Sequence, residues 1–138
     1  MEQISYEKLD GWKYRLADEY EIHIRFFEGE EGRGNEYVWL EYGRLAIRKG
    51  YAWDGPSGPT WDTPNWMRAS LVHDAMYQLI RESHLPIALR KQVDLLMLKA
   101  LREDGMSRAR SRTAYIGVRM FGRRSAHPRP VRKILRAP

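Results

Sequence analysis

Three side chains that can move protons or hold a cation lie within one short stretch, His73-Asp74-Ala75-Met76-Tyr77. The apolar spacing around them predicts a helix, in which His73 and Tyr77 share a face and Asp74 is rotated about a quarter turn away. Burying a charged side chain on a helix that packs through apolar residues costs free energy unless the charge has a partner. Asp94, at the edge of the apolar stripe of the next predicted helix, is the expected partner.

The pairing of His73 with Asp94 follows from counting along two antiparallel helices joined by Ser83-His84-Leu85. His73 lies roughly ten residues before this connection and Asp94 roughly ten after it, so both reach a similar height. A carboxylate against one imidazole nitrogen fixes the tautomer and leaves the other nitrogen as a base. Two interpretations stay open: a catalytic dyad, or a His–Asp–Tyr cluster that fastens two helices.

Three helices are predicted in the second half of the chain from apolar residues at helical spacing. The first is capped by Asp62 or Thr63, has Pro64 in its opening turn and runs to about Glu82; its apolar ridge is Met67, Leu71, Ala75 and Leu79. The second runs from about Pro86 to Gly105. The third is capped by Ser107 and ends at Gly122, and its Tyr115, Val118 and Phe121 are expected in the core.

The first 55 residues are predicted to form a small antiparallel sheet. Alternating apolar and polar residues indicate strands at residues 20–26, 36–42 and 44–48, with a shorter one at 12–16. Residues 28–35 have the composition of a hairpin loop, and Tyr42-Gly43-Arg44 that of a tight turn. The Gly- and Pro-rich segment at residues 51–64 excludes a helix or a central strand, but its aromatic residues favour an ordered loop.

The whole chain has the size and composition of one domain: 138 residues, 43% of them hydrophobic. The expected fold class is α+β, with one domain at residues 1–123 and a flexible basic tail at residues 124–138. Cysteine is absent, which excludes disulfides, thiolate metal sites and thiol catalysis. Neither a signal peptide nor an apolar run long enough for a transmembrane segment is found, and a reducing cytosol suits the composition.

Charge is distributed unevenly along the chain. Up to position 104 there are 14 basic and 18 acidic residues, a net charge of −4, whereas the rest has 10 basic residues and no acidic ones. A basic end on an acidic body predicts an anionic partner, which leaves nucleic acid, a membrane surface or another protein open.

The motif His73-Asp74-x-x-Tyr77, followed by Asp94 on a second helix, resembles phospholipase A2 enzymes, and most of all the disulfide-free form in parvovirus capsid proteins. The resemblance implies a calcium-dependent hydrolase in which His73 activates a water that attacks a phospholipid ester, Asp94 orients His73 and Tyr77 supports Asp94. It also implies that Asp74 holds calcium together with carbonyls of a glycine-rich loop, here Gly55 and Gly58. That loop departs from the usual Tyr-x-Gly-x-Gly, because Gly55 and Gly58 are three residues apart.

A wider stretch, from about Gly50 to Gly122, resembles the phage and prophage family catalogued as domain of unknown function 1353. Its recurring features are an Asp-x-x-Ser-x-Pro segment, the His-Asp-x-x-Tyr helix, an Asp on the next helix and an Arg-rich third helix ending in aromatic-Gly. The first of these is Asp54, Ser57 and Pro59 here, which adds Asp54 as a possible metal ligand, and the last ends in Phe121-Gly122. This resemblance implies a phage origin, and so the host cytoplasm or the virion as location, without implying an activity.

Two functions are therefore carried forward. The first is a phage-encoded, calcium-dependent hydrolase resembling phospholipase A2, acting on a phospholipid membrane. The alternative is a non-catalytic phage protein, virion-associated or an adaptor, whose basic third helix and tail bind another phage protein, a membrane or nucleic acid. A metal phosphohydrolase needs a further helical histidine upstream, and His23 lies on a predicted strand.

Overall fold

The structure, a computed structural model, describes residues 3–9, 14–55 and 63–129. It is an α+β fold, as expected: two small antiparallel sheets are followed by helices. The strands are β1 (Tyr6–Lys8), β2 (Tyr14–Leu16), β3 (Tyr20–His23), β4 (Arg33–Gly34), β5 (Val38–Glu41), β6 (Arg44–Ile47) and β7 (Ala52–Trp53). The α-helices are α1 (Pro64–Arg81), α2 (Arg90–Glu103), α3 (Arg108–Phe121) and α4 (Arg123–Ala126), and short 3₁₀ turns occupy Arg25–Phe27 and Ile87–Leu89.

The first sheet has the order β1-β2-β7 and brings the Gly- and Pro-rich segment to the helices. β7 is an edge strand that pairs with β2, which agrees with the exclusion of a central strand there. The indole nitrogen of Trp53 donates to Ser70 Oγ on α1 at 3.0 Å. This bond ties β7 to α1, so that Asp54 and Gly55 lie beside the middle of the helix.

The second sheet has the order β3-β6-β5-β4, and its β5–β6 hairpin confirms the predicted turn. Both turn residues, Tyr42 and Gly43, have positive φ, as a type I′ hairpin turn requires. Two expectations were wrong. The strand expected to reach Phe26 ends at His23, because the 3₁₀ turn carries Phe27 into the core; the expected loop at 28–35 contains β4, which pairs with β5.

α1 is the central element of the molecule and is buried on most sides. Thirteen of its 18 residues are buried, including the predicted ridge of Met67, Leu71, Ala75 and Leu79. The ridge and its neighbours pack against both sheets, whereas Trp66 and Ala69 pack with α2 and α3 in a second cluster. The single apolar stripe expected from periodicity is therefore only part of what α1 buries.

α2 and α3 extend the packing around α1. Contacts of His73 with Asp94 and of Arg68 with Asp104 run in opposite chain directions, which shows that α1 and α2 are antiparallel. Ser107 caps α3 as expected, accepting the backbone N–H of Arg110. The expectation for Phe121 was wrong: it is 77% exposed, because α3 runs past the core.

After α3 the chain folds back through α4, whose Ala126 is fully buried in the main core. The backbone N–H of Arg129 then donates to the carbonyl of Arg81 at 3.0 Å. The division into residues 1–123 and 124–138 stays a prediction, and residues 130–138 lie outside the described part. None of the helices in the described ranges is both long and apolar enough to cross a membrane.

Candidate functional site

The predicted meeting of α1 with α2 at His73 and Asp94 is present. His73 Nε2 lies 2.8 Å from Asp94 Oδ1, and the Tyr77 hydroxyl donates to the same oxygen at 2.5 Å. The spacing of four residues stacks the rings of His73 and Tyr77, with centroids 4.0 Å apart. The expected geometry is therefore confirmed, while the roles of these residues stay predictions.

Asp94 is fully buried and joins three helices. Arg119 of α3 donates from Nη1 to Asp94 Oδ2 at 2.8 Å, and Arg90 Nη1 lies 3.5 Å from the same oxygen. Burial alone raises the pKa of a carboxyl group, but the hydrogen bonds from His73, Tyr77 and Arg119 outweigh it and lower the pKa of Asp94. Asp94 is thus a carboxylate anion whose two oxygens both accept.

The arginines on Asp94 were missed by the sequence analysis. Arg90 precedes Asp94 by four residues, a spacing at which helical side chains meet, so it was detectable in principle. Its guanidinium also donates to the carbonyls of Val118 and Arg119 and to the Tyr77 hydroxyl, at 3.0–3.2 Å. Arg90 therefore satisfies the last turn of α3 and holds that helix end against the site. The approach of Arg119 depends on how α3 packs, which no local pattern specifies.

The tautomer of His73 follows from its partner. Because Asp94 is ionised and can only accept, the proton of a neutral imidazole lies on Nε2, and Nδ1 keeps a free electron pair. Nδ1 lies 3.8 Å from Asp74 Oδ1. Burial opposes the charged imidazolium, but Asp74 and Asp94 outweigh it and raise the pKa of His73. A raised pKa brings His73 closer to the range that suits a general base near neutral pH, although His73 is only 7% exposed.

Asp74 faces a cleft between β7, α1 and α4. The cleft has a volume of about 250 Å³, and its polar lining includes Asp54, Asp74, Gln78, Arg81 and Ser125. The Asp74 side chain is 35% exposed. Burial and the negative charge of Asp54 raise the pKa of Asp74, and His73 partly offsets them. Tyr77 also lines the cleft, whereas His73 lies behind its wall.

Three of the four expected calcium ligands, Asp54, Gly55 and Asp74, line this one cleft, and the fourth, Gly58, lies outside the described residues. Packing and backbone conformation also require glycine at position 55, independently of any calcium site. Its φ is +77°, and a side chain there would lie 2.6 Å from the Tyr14 ring.

The donor set of the cleft fits calcium in kind. The carboxylates of Asp54 and Asp74 are hard oxygen donors, and a backbone carbonyl such as that of Gly55 is of the type that completes such sites. Within residues 3–9, 14–55 and 63–129, no three His, Asp or Glu side chains cluster closely enough to hold a metal by themselves. A calcium ion here would therefore depend on carbonyls and water in addition to the two carboxylates.

These features define an α+β protein with a buried His–Asp pair behind an acidic cleft. The chain belongs to the family described as "Protein of unknown function (DUF1353)", whose model matches residues 36–118. The matched part contains Asp54, His73, Asp74, Tyr77 and Asp94, and it ends one residue before Arg119. No curated protein and no solved structure matches the chain.

Proposed function

We propose that this protein is a phage-encoded, calcium-dependent ester hydrolase resembling phospholipase A2, with His73 as its general base. The observation that supports this most is the orientation of the imidazole. Nε2 is fixed by Asp94 at 2.8 Å, so Nδ1 is left as the acceptor on the side of Asp74 and the acidic cleft. Three members of the expected site thereby have the order that base-assisted hydrolysis needs: orienting carboxylate, base, candidate metal ligand.

In the proposed reaction, a water molecule from the cleft passes Asp74, which lines the cleft, and reaches Nδ1 of the buried His73 behind it. Nδ1 takes a proton as the water oxygen attacks the ester carbonyl carbon, and the imidazolium returns that proton to the departing alcohol oxygen when the ester bond breaks. Asp94 stays ionised throughout and stabilises the imidazolium, because Tyr77 and Arg119 donate to it as well. Calcium, when bound by Asp54, Asp74 and loop carbonyls, supplies positive charge for the developing oxyanion.

The decisive test is release of fatty acid from mixed phospholipid vesicles with calcium present. His73→Gln roughly keeps the volume and can still donate to Asp94, but it cannot act as a base. We expect this change to lower the rate by about 10²–10⁴-fold with little loss of stability. The matched control is His23→Gln on the exposed rim of the second sheet, which should hydrolyse like the wild type. Folded, calcium-supplied wild-type protein that releases no fatty acid from any phospholipid tried would refute the proposal.

A second candidate function is favoured by the depth of His73. With 7% exposure, and with its partner Asp94 shared among three helices, the cluster also suits a fastener in a non-catalytic phage protein, virion-associated or an adaptor. Such a protein would bind an anionic partner through its basic C-terminal helix and tail. In that case His73→Gln should lower the free energy of unfolding by about 1–3 kcal/mol, and there would be no hydrolysis to lose.

A further inference from the structure

Large apolar side chains are exposed along α3, where the core does not need them. Ile116 and Met120 are 45% and 68% exposed, and Phe121 at the helix end is 77% exposed. Ile116 and Met120 are four residues apart and so share a face. Apolar side chains grouped in this way on a surface commonly mark a contact site.

The same region is strongly basic. Arg112 lies one turn before Ile116, and Arg123 and Arg124 follow Phe121; all three are exposed. No acidic residue follows Asp104 in the chain, so nothing nearby in the sequence neutralises them. Arg119, which precedes Met120 in the sequence, already donates to Asp94. Exposed apolar residues flanked by arginines are the combination that an anionic bilayer binds, because the apolar groups enter the headgroup layer and the cations meet its charge.

We propose that α3 and the start of α4 form a membrane-docking surface for anionic phospholipid bilayers, made of Arg112, Ile116, Met120, Phe121, Arg123 and Arg124. A nucleic acid would use the arginines but gives no favourable place to Ile116 and Met120, which have neither a hydrogen-bonding group nor a ring to stack on bases. The inference holds whether or not His73 is catalytic, and it names the anionic partner that the second candidate function leaves open.

The docking surface is continuous with the site. Gly122 follows Phe121 directly, and a side chain at Gly122 would lie 2.7 Å from the Tyr77 hydroxyl. Three residues further on, Ser125 lines the cleft, and its carbonyl accepts from Arg81 at 3.1 Å. A bilayer bound at Met120 and Phe121 would therefore lie beside the part of the cleft that Ser125 forms.

The test is flotation of the full chain with vesicles in a calcium chelator, so that binding is measured without turnover. Vesicles of phosphatidylserine and phosphatidylcholine in equal parts should carry the protein, those of phosphatidylcholine alone should carry much less, and added salt should weaken binding. Phe121→Ser should lower the partition coefficient by about tenfold. Arg112→Ser and Arg123→Ser should each lower it by about fivefold.

Matched controls lie in the part of the chain that precedes α1, outside the proposed surface. Phe26→Ser removes the same side chain at 58% exposure, and Lys49→Ser removes an exposed cation; both should bind vesicles like the wild type. Met120→Ser provides a second apolar variant if Phe121→Ser lowers the melting temperature. The proposal would be overturned if Phe121→Ser and Phe26→Ser weakened vesicle binding equally, or if binding did not depend on phosphatidylserine. It would also be overturned if a DNA duplex displaced the protein from vesicles and the Phe121→Ser variant bound that duplex as tightly as the wild type. Vesicle binding without hydrolysis would support this inference and count against the proposed activity. Hydrolysis without binding through this surface would do the reverse.

Discussion

Asp94 is the residue on which the candidate site depends most, because it accepts from His73, Tyr77 and Arg119 at once. The pKa of Asp94 is lowered in the folded protein, so the ionised carboxylate stabilises the folded state at pH values above the ordinary pKa of aspartate, about 3.9. That stabilisation is lost as the pH falls through the lower, folded-state pKa.

We therefore predict that Asp94→Asn lowers the free energy of unfolding by about 3–5 kcal/mol near neutral pH, because it leaves arginines without their anion. The deficit should begin to shrink as the pH falls below about 4, where Asp94 of the unfolded wild-type chain becomes protonated, and should disappear once the pH falls below the lower pKa of the folded state. Denaturant unfolding at a series of pH values measures this. Asp18→Asn, at an exposed position, is the control and should show no such pH-dependent deficit.

Asp74 and Asp54 are the two carboxylates on which the predicted calcium site depends. Calcium at about 100 times its dissociation constant should raise the free energy of unfolding by about 2.7 kcal/mol, by mass action. Asp74→Asn and Asp54→Asn should each remove most of this gain, because both carboxylates line the cleft. Thermal unfolding with and without calcium is the measurement. A melting temperature that ignores millimolar calcium in wild type and variants alike would contradict a calcium site.

At the scale of elements, the close approach of α3 to α1 is tested by a pair of glycines. A side chain at Gly122 would lie 2.5 Å from the Val118 carbonyl and 2.7 Å from the Tyr77 hydroxyl, whereas one at Gly117 would meet nothing within 4 Å. We predict that Gly122→Ala destabilises the protein by about 1–3 kcal/mol and disturbs the Tyr77 bond to Asp94. Gly117→Ala should instead stabilise it by about 0.5–1 kcal/mol. Chemical denaturation of both variants decides; equal effects would mean that α3 does not press on Tyr77.

The elements also show what could be foreseen from the sequence. Periodicity gave the three main helices, and counting along the antiparallel pair gave the contact of His73 with Asp94. Both depend on local regularity, which a sequence records directly. Of the expected caps, Ser107 caps α3, whereas Thr63 makes no side-chain capping bond at the start of α1 and Asp62 lies outside the described residues. The contact of Arg119 with Asp94 depends on how α3 crosses α2, and the exposure of Phe121 depends on where the core ends. Helical spacing alone does not contain either.

The sequence predicted that the sheet structure is antiparallel, but not how many sheets there are or which strands pair. Alternation located most strands, but it gave no reason to divide them between two sheets, because the pairing of β2 with β7 joins residues far apart in the sequence. Gly34 and Arg33 looked like loop residues, and β4 exists only because β5 is there to pair with it. Such pairings are decided by tertiary contacts.

At the scale of the whole molecule, Arg68 joins the helical half to the second sheet. Its buried guanidinium lies 2.9 Å from Asp104 Oδ2 and 3.0 Å from Glu103 Oε2, and it donates to the Tyr20 hydroxyl at 3.2 Å. We predict that Arg68→Met lowers the free energy of unfolding by about 3–5 kcal/mol, because Asp104 keeps a largely buried charge without its partner. Arg68→Met combined with Asp104→Asn should recover part of that loss. A double-mutant cycle by denaturant unfolding measures the coupling, and additive losses would rule it out.

The position of α1 in the chain has a consequence for biosynthesis. The main core is formed by both sheets together with α1, yet α1 follows all seven strands in the sequence. While the ribosome translates residues 64–81, the apolar faces of the sheets, which include Val38, Leu40, Leu45 and Ile47, have nothing to cover them. At about 5–20 residues per second that interval lasts for seconds. We therefore expect a nascent chain of this protein to expose apolar sheet surface, and so to bind ribosome-associated chaperones, until its central helix emerges.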